Sequence, residues 1–294
     1  MRKNTVRIGI AGPFDLQPLW KYIDPKFGNI PKGVGGTGLP QLVAELLKRG
    51  QRTTIFTFDQ KITETIIVNG PLLRIYICPI RKNKKARDFY AIERKFLVNS
   101  IHNEKIDFIH AHWTYEYALA GLDSGVPTLV TARDAPLTIL QYNFSPYQIA
   151  RTIMATKVIM NTKNMTAVSP YISQHLKKYF HYYNKISVIP NGFSNEVFSF
   201  YKKRPPATNK KIIFAAAISW WGKIKNTGVL LEAFSLARSK LEQTELWLFG
   251  HEHGPNESAE QLANKKGYSN NVRFIGHTDY LTLLNQLSTK VDVL

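Results

Sequence analysis

The stretch Lys185-Ile-Ser-Val-Ile-Pro-Asn-Gly-Phe-Ser-Asn-Glu-Val-Phe198 divides the chain and decides how the rest is read. Ile186, Val188 and Ile189 are β-branched and predict a short buried strand that Pro190 ends. Asn191-Gly192 then predicts a turn at positive φ, which glycine, and less easily asparagine, accepts at little steric cost. Upstream lies one array of alternating strand and helix patterns. Downstream, after the polar connector 201–210, a second array begins at Lys211. The expected domains are therefore residues 1–200 and 211–294, joined by that linker. Two βα arrays around one pivot predict a ligand held between them.

Composition narrows the class. With 44% hydrophobic and 20% charged residues the chain is globular, neither disordered nor fibrous. Cys78 is the only cysteine, so no intrachain disulfide can form, which fits a reducing compartment. Met1-Arg-Lys-Asn and the following Thr5–Ala11 are too short and too charged for a signal peptide. No segment approaches the roughly 18 apolar residues of a spanning helix. A cytoplasmic protein is expected.

The net charge of +18 is uneven. Residues 205–294 hold ten Lys or Arg against eight Asp or Glu, which leaves +16 in residues 1–204. The densest run is Arg81-Lys-Asn-Lys-Lys-Ala-Arg87, leading into a basic helical stretch, Ala86–His102. It is either a solvated face or a surface drawn to anionic headgroups or a phosphate-bearing acceptor, with Lys82, Lys84 and Lys85 facing the membrane. No nucleic-acid partner is expected, because no recognition module accompanies the charge.

Val6–Ala11 predicts the first strand, and Gly33-Val-Gly-Gly-Thr-Gly38 precedes a helix over Leu39–Arg49. A glycine-rich turn before a helix lets backbone N–H groups approach a phosphate, but it is equally read as a flexible loop. It is neither G-x-G-x-x-G nor a Walker loop. Strands follow at Thr53–Phe58 and Leu72–Ile77, and then Ile106-Asp-Phe-Ile-His-Ala-His112. His110 and His112 stand two apart on that strand, at the end where open α/β sheets place ligands. They are packed histidines or cleft histidines. With no third ligand at supporting spacing, no metal is expected. Arg133 ends the strand Val126–Thr131 and could hold a phosphate or carboxylate, or pair with Asp134. Helices are expected over Ser145–Asn161 and from Ser169-Pro170, where Ser is the cap and Pro the first position, to Phe180.

In the second array, Lys211–Trp221 predicts a strand and Val229–Arg238 a helix with Leu230, Leu231, Phe234 and Leu236 mostly in the core. Lys225 stands before that helix, where an anion would meet its charge and the helix dipole, or it is a surface lysine. Glu245–Phe249 leads to Gly250-His-Glu-His-Gly-Pro255. Asn271–His277 is the third strand, Tyr280–Leu287 a helix and Val291–Leu294 a fourth strand.

The order of these motifs resembles the B-type nucleotide-sugar glycosyltransferases, close to the retaining glycosyltransferase family 4. The matching pieces are Gly35-Gly36, Asp107-Phe-Ile-His-Ala-His112, Thr166-Ala-Val-Ser169, Val188-Ile-Pro-Asn-Gly192, Lys225-Asn226 and Val272-Arg-Phe-Ile-Gly276. The resemblance implies an α/β fold of two Rossmann-like doubly wound domains facing across a cleft. It puts the acceptor on the first domain and a UDP- or GDP-sugar on the second. Lys225 matches the lysine on the donor diphosphate, with Asn226 beside it. Gly35 and Gly36 lie in the loop facing the same diphosphate, and His112 matches the histidine beside the sugar. Gly276 and His277 border the base, and Gly250 joins the donor set. No cofactor and no metal are implied.

Two departures stand out. The family usually has an arginine five residues before its lysine, and here that position is Trp220; Lys223 is the nearest substitute. The family's paired glutamates lie just beyond a strand like Val291–Leu294, so the second domain is expected to be incomplete. The expected function is transfer of a hexosyl group, with retention, to a glycan or lipid-linked acceptor in surface polysaccharide or lipopolysaccharide assembly, at the inner membrane face. The alternatives are a truncated, non-catalytic acceptor- or membrane-binding protein and a nucleotide-sugar epimerase of the same fold.

Overall fold

The structure, a computed structural model, describes residues 6–36, 38–201 and 211–294. The expected charged start and nearly all of the 201–210 connector lie outside the described residues. The chain forms two compact units, Met1–Phe193 and Ser194–Leu294.

Unit 1 begins with β1 (Ile8–Ala11), α1 (Gly38–Lys48), β2 (Thr53–Asp59), β3 (Ile66–Asn69), β4 (Leu73–Pro79) and α2 (Ala91–His102). It continues through β5 (Phe108–His112), α3 (Glu116–Asp123), β6 (Thr128–Ala132), α4 (Pro136–Tyr142) and α5 (Pro146–Asn161). It closes with β7 (Asn164–Ala167), α6 (Pro170–Phe180) and β8 (Ile186–Val188). The sheet order is β3-β4-β2-β1-β5-β6-β7-β8, parallel except for β3 on β4. Strand direction from β1 proceeds outward on both sides, so a topological switch point lies between β1 and β5.

Period-two alternation builds a core on each face. Ile10, Ile55, Ile75 and Ile77 pack with Val43 and Leu47 of α1. Their neighbours Phe56, Phe58, Tyr76 and Cys78 face the other way, against Leu97, Ile101 and Val158 of α2 and α5. Ser169 caps α6 as expected, accepting from the Ile172 N–H at 3.3 Å.

Unit 2 contains α7 (Glu196–Ser199), β9 (Ile212–Ala217), α8 (Thr227–Arg238), β10 (Thr244–Phe249), α9 (Ser258–Lys266), β11 (Val272–Gly276) and α10 (Tyr280–Lys290). Its parallel sheet has the order β11-β10-β9. Leu246 and Leu248 pack with α8 and α9, whereas Trp247 and Phe249 pack towards Leu283 and Leu287 of α10.

Several local expectations change. Ile186–Val188 is a strand but not a buried one, since β8 is the sheet edge and Ile189 is 58% exposed. Neither Asn191 nor Gly192 adopts a positive φ. The basic stretch is not one helix. A single turn over Lys85–Asp88 is followed by Phe89 and Tyr90 in the left-handed region, and α2 starts afterwards. Arg81 folds the run back by donating to Glu93 Oε2 (2.7 Å) and Asp88 Oδ1 (2.8 Å). Leu236 is 65% exposed on the outer side of α8 rather than in the core. The fourth strand of unit 2 is reduced to a parallel bridge, Phe214 with Val293, beside β9. The antiparallel β3 and the helix α4 were not anticipated. No helix among the described residues is long and apolar enough to cross a membrane.

Candidate functional site

In unit 1 the switch point gathers the glycine loop, the start of α1 and the end of β5. Gly36 bridges Phe14, just past β1, and its carbonyl accepts from the Asp15 N–H. Gly33 has φ +80°, and its N–H donates to Asp59 Oδ2 at 2.8 Å at the end of β2. A Cβ on Gly35 would lie 2.2 Å from backbone atoms of Pro13 and Phe14, so no larger residue fits there. A Cβ on Gly36 would meet nothing within 4 Å, which leaves the exposed side of the loop open. A Cβ on Gly12 would lie 2.7 Å from Leu39 Cδ1 and 3.3 Å from His112 Cβ, so β1, α1 and His112 converge.

His112 is buried, 2% exposed, at the end of β5. Its Nδ1 accepts from Arg133 Nε at 3.2 Å, and Arg133 Nη1 donates onward to Asn191 Oδ1 at 2.9 Å. Burial, then His110 and Arg133, holds the His112 imidazolium far below its usual range. A neutral ring that accepts at Nδ1 carries its proton on Nε2. That Nε2 is buried without a partner among the described residues, as are Oγ1 of Thr114, two positions on, and Oδ1 of Asp134, next to Arg133. The His110 ring lies against His112, tilted by 38° with centroids 4.1 Å apart, and shares a 2.7 Å hydrogen bond with Thr131 Oγ1. Burial, with Arg133 second, lowers its pKa to about 4.

His110 is packed and bonded to Thr131, and His112 is buried with its Nε2 unpartnered among the described residues. Arg133 is not paired with Asp134. Asp134 instead accepts from the Tyr115 hydroxyl at 3.0 Å, and burial raises its pKa. Trp113, φ +71°, is the kind of strained bulky residue that clusters at working sites. Arg151 braces this region from α5, lying 3.5 Å over the Tyr115 ring and 3.3 Å from Glu116.

In unit 2 the strand ends carry a second cluster. Gly250 has φ +119°, and a Cβ there would lie 1.9 Å from the Ile218 carbonyl oxygen. Its N–H donates to the Gly276 carbonyl at 2.8 Å. Gly276, φ +79°, passes Gly254 so closely that a Cβ would sit 2.9 Å from its Cα. On these glycines His251 stacks between His277, at 4.1 Å and 11°, and Trp220, at 5.2 Å and 24°. Trp220 is 66% exposed with φ +69°. His253 is fully buried and joins this loop to the start of α8 through Thr227 Oγ1 at 2.9 Å. The sequence pointed to Gly250, Gly276 and His277 but not to His251 or His253; the His-x-His after Gly250 was the available signal.

Lys225 is exposed in the loop before α8, and its N–H donates to the Gly222 carbonyl at 3.0 Å. Asn226 takes the cap position at φ +55° without a side-chain cap bond; the Val229 N–H donates to the Asn226 carbonyl at 3.1 Å, which leaves the Thr227 and Gly228 N–H groups at the start of α8 for another acceptor. Lys82 and Lys84 are exposed, while Lys85 is half-buried and donates to the Arg81 carbonyl at 3.1 Å. Among the described residues no group of three or more His, Cys, Asp or Glu is placed to hold a metal ion.

Comparison with curated protein sequences finds no match. Solved structures do match. Sucrose-phosphate synthase from Thermosynechococcus elongatus is similar over 96% of this chain and 73% of its own, with 17% identity and a TM-score of 0.64. The Escherichia coli trehalose-6-phosphate structure bound with UDP-2-fluoro glucose matches over 95% and 75%, with 11% identity and a TM-score of 0.63. A Listeria monocytogenes protein, assigned as a UDP-N-acetylglucosamine 2-epimerase, matches over 96% and 72%, with 14% identity and a TM-score of 0.56. These likenesses show the fold, two Rossmann-like α/β units. Residues 36–197, more than half of the chain, match the model of Glycosyltransferase Family 4, and the chain belongs to that family of glycosyltransferases.

Proposed function

We propose that the protein transfers a hexosyl group from a UDP- or GDP-sugar to a glycan or lipid-linked acceptor, with retention, in surface polysaccharide assembly. Unit 2 takes the donor and unit 1 the acceptor. The observation that carries this reading is His112, held neutral with its Nε2–H unpartnered at the switch point of unit 1. A neutral donor of that kind suits a sugar hydroxyl. In transfer, the bond from the anomeric carbon to the diphosphate breaks and its electron pair leaves with the phosphate oxygen. The acceptor oxygen forms the new bond, and its proton leaves with the nucleoside diphosphate. Fixed positive groups favour that leaving group most in the transition state. Lys225 and the N-terminus of α8, both in unit 2, supply them, so the reaction is expected to persist in EDTA.

Calorimetry tests the donor assignment. Lys225→Ala should weaken nucleotide-sugar binding by about 1–3 kcal/mol, the scale of a charge-assisted contact. Unchanged affinity removes Lys225 from the site.

Two finer points belong to this reading. Lys82 and Lys84 are exposed, as are Tyr142, Phe144 and Tyr147 at the α4–α5 turn, and Lys157 of α5 lies 4.9 Å over the Phe89 ring. Basic side chains beside aromatic rings suit an anionic membrane interface. Neutralising Lys82 and Lys84 should lower binding to phosphatidylglycerol vesicles; equal binding leaves the run a solubility feature. The likeness to the Listeria protein favours epimerisation as a second reading. Release of free 2-epimerised sugar without transfer would establish it.

A further inference from the structure

A second concave site lies on unit 1 at the edge opposite the switch point. It is a cavity of about 390 Å³ at the N-terminal ends of the strands. Arg74 comes from the start of β4, Arg52 precedes β2, Arg7 precedes β1 and Lys105 precedes β5. Those four strands are consecutive in the sheet and mutually parallel, so the four cations form one staggered row at one end of the sheet, with Arg74 level with Thr54 and Lys105 three residues before Phe108, the partner of Ile8. At about 4.8 Å between strands the row is about 14 Å long.

The negative side of the balance is thin. Among the described residues Glu104 is the only carboxylate lining the cavity, and it already accepts from the Tyr76 hydroxyl at 2.7 Å and Arg74 Nη1 at 2.8 Å. Asp107 is close by but outside the lining, and one of its oxygens accepts the Arg7 backbone N–H at 2.7 Å. Among the described residues no ion pair engages the side chains of Arg7, Arg52 or Lys105; Arg7 makes only a 3.5 Å contact to the Lys105 carbonyl. Like charges gathered from four separate segments around a hollow repel one another, and a bound anion relieves that repulsion. Guanidinium groups match phosphate oxygens two at a time.

We infer that this cavity binds a small soluble ligand carrying at least two anionic phosphate charges. Its concavity favours a free molecule over a flat lipid surface. The site is about 20 Å from the switch point, the length of a seven-residue strand such as β2, so it is separate from the proposed chemistry. It does not depend on the donor assignment.

The test is calorimetry of inorganic pyrophosphate with the full chain. Arg52→Gln/Lys105→Gln should weaken pyrophosphate binding at least about tenfold, the scale of one charge-assisted contact. Both side chains are exposed, and circular dichroism checks that the variant folds. Lys225→Ala, in the other unit, should leave this component in place, which separates the inference from the donor reading. An unchanged isotherm in the double variant overturns the inference. So does an equal loss in Lys177→Ala/Lys178→Ala on α6, which would mark a general field effect. Phosphatidic acid vesicles supply the last arm: loss of vesicle binding with pyrophosphate binding intact also overturns it.

Discussion

Arg133 Nε donates to His112 Nδ1 at 3.2 Å, and this single bond selects the tautomer that leaves the His112 Nε2–H free. Nitrogen-15 NMR of the imidazole should show a neutral ring protonated at Nε2. In Arg133→Met the preference is lost, and transfer should fall about tenfold or more, the worth of a misdirected donor. A His112 ring protonated at Nδ1 in the wild type would refute the assignment.

Stability should depend on pH through the paired histidines. The His110 pKa falls from 6.5 to about 4 on folding, because burial and then Arg133 oppose the charged ring. The unfolded chain therefore binds more protons between those values, and stability rises with pH there. The contribution is full above about pH 6.5 and is lost as pH falls towards about 4, a span of about 3 kcal/mol. His112 acts in the same direction. Denaturant titrations from pH 4 to 7 should show the slope, and His110→Asn should flatten it.

Glu116 and Arg151 form a buried ion pair at 3.3 Å, with side chains 6% and 12% exposed. Removing one partner strands the other charge, so Glu116→Gln should cost about 3–5 kcal/mol. Exchanging both for apolar residues of similar volume should cost much less. Urea unfolding of the single and double variants separates the two outcomes.

Neighbouring glycines of one loop should behave differently. Gly35→Ala drives a methyl group into the backbone of Pro13 and Phe14 and should destabilise by about 1–3 kcal/mol or more. Gly36→Ala meets open space and should change stability by no more than about 0.5 kcal/mol. A loss of transfer in Gly36→Ala at unchanged Tm marks the open side of the loop as a ligand surface. Full activity would make it a plain connection.

Much of this protein is written in short-range patterns. Alternation at Ile75, Tyr76, Ile77 and Cys78 dictates a strand covered on both faces, and Ser169-Pro170 starts α6 where its cap chemistry requires. Such signals act over a few residues, so the sequence alone determined the alternating α/β class, the order of motifs and the histidines at the end of β5. It misjudged Ile186–Ile189, because an edge strand and a buried one share the same β-branched composition. Tertiary structure decided the rest. Arg133 reaches His112 across 21 positions and Asn191 across 58, and the row from Arg7 to Lys105 exists only because β4, β2, β1 and β5 lie side by side. Strand order is set by packing both faces of a whole sheet, and no local pattern encodes which distant side chains that packing brings together.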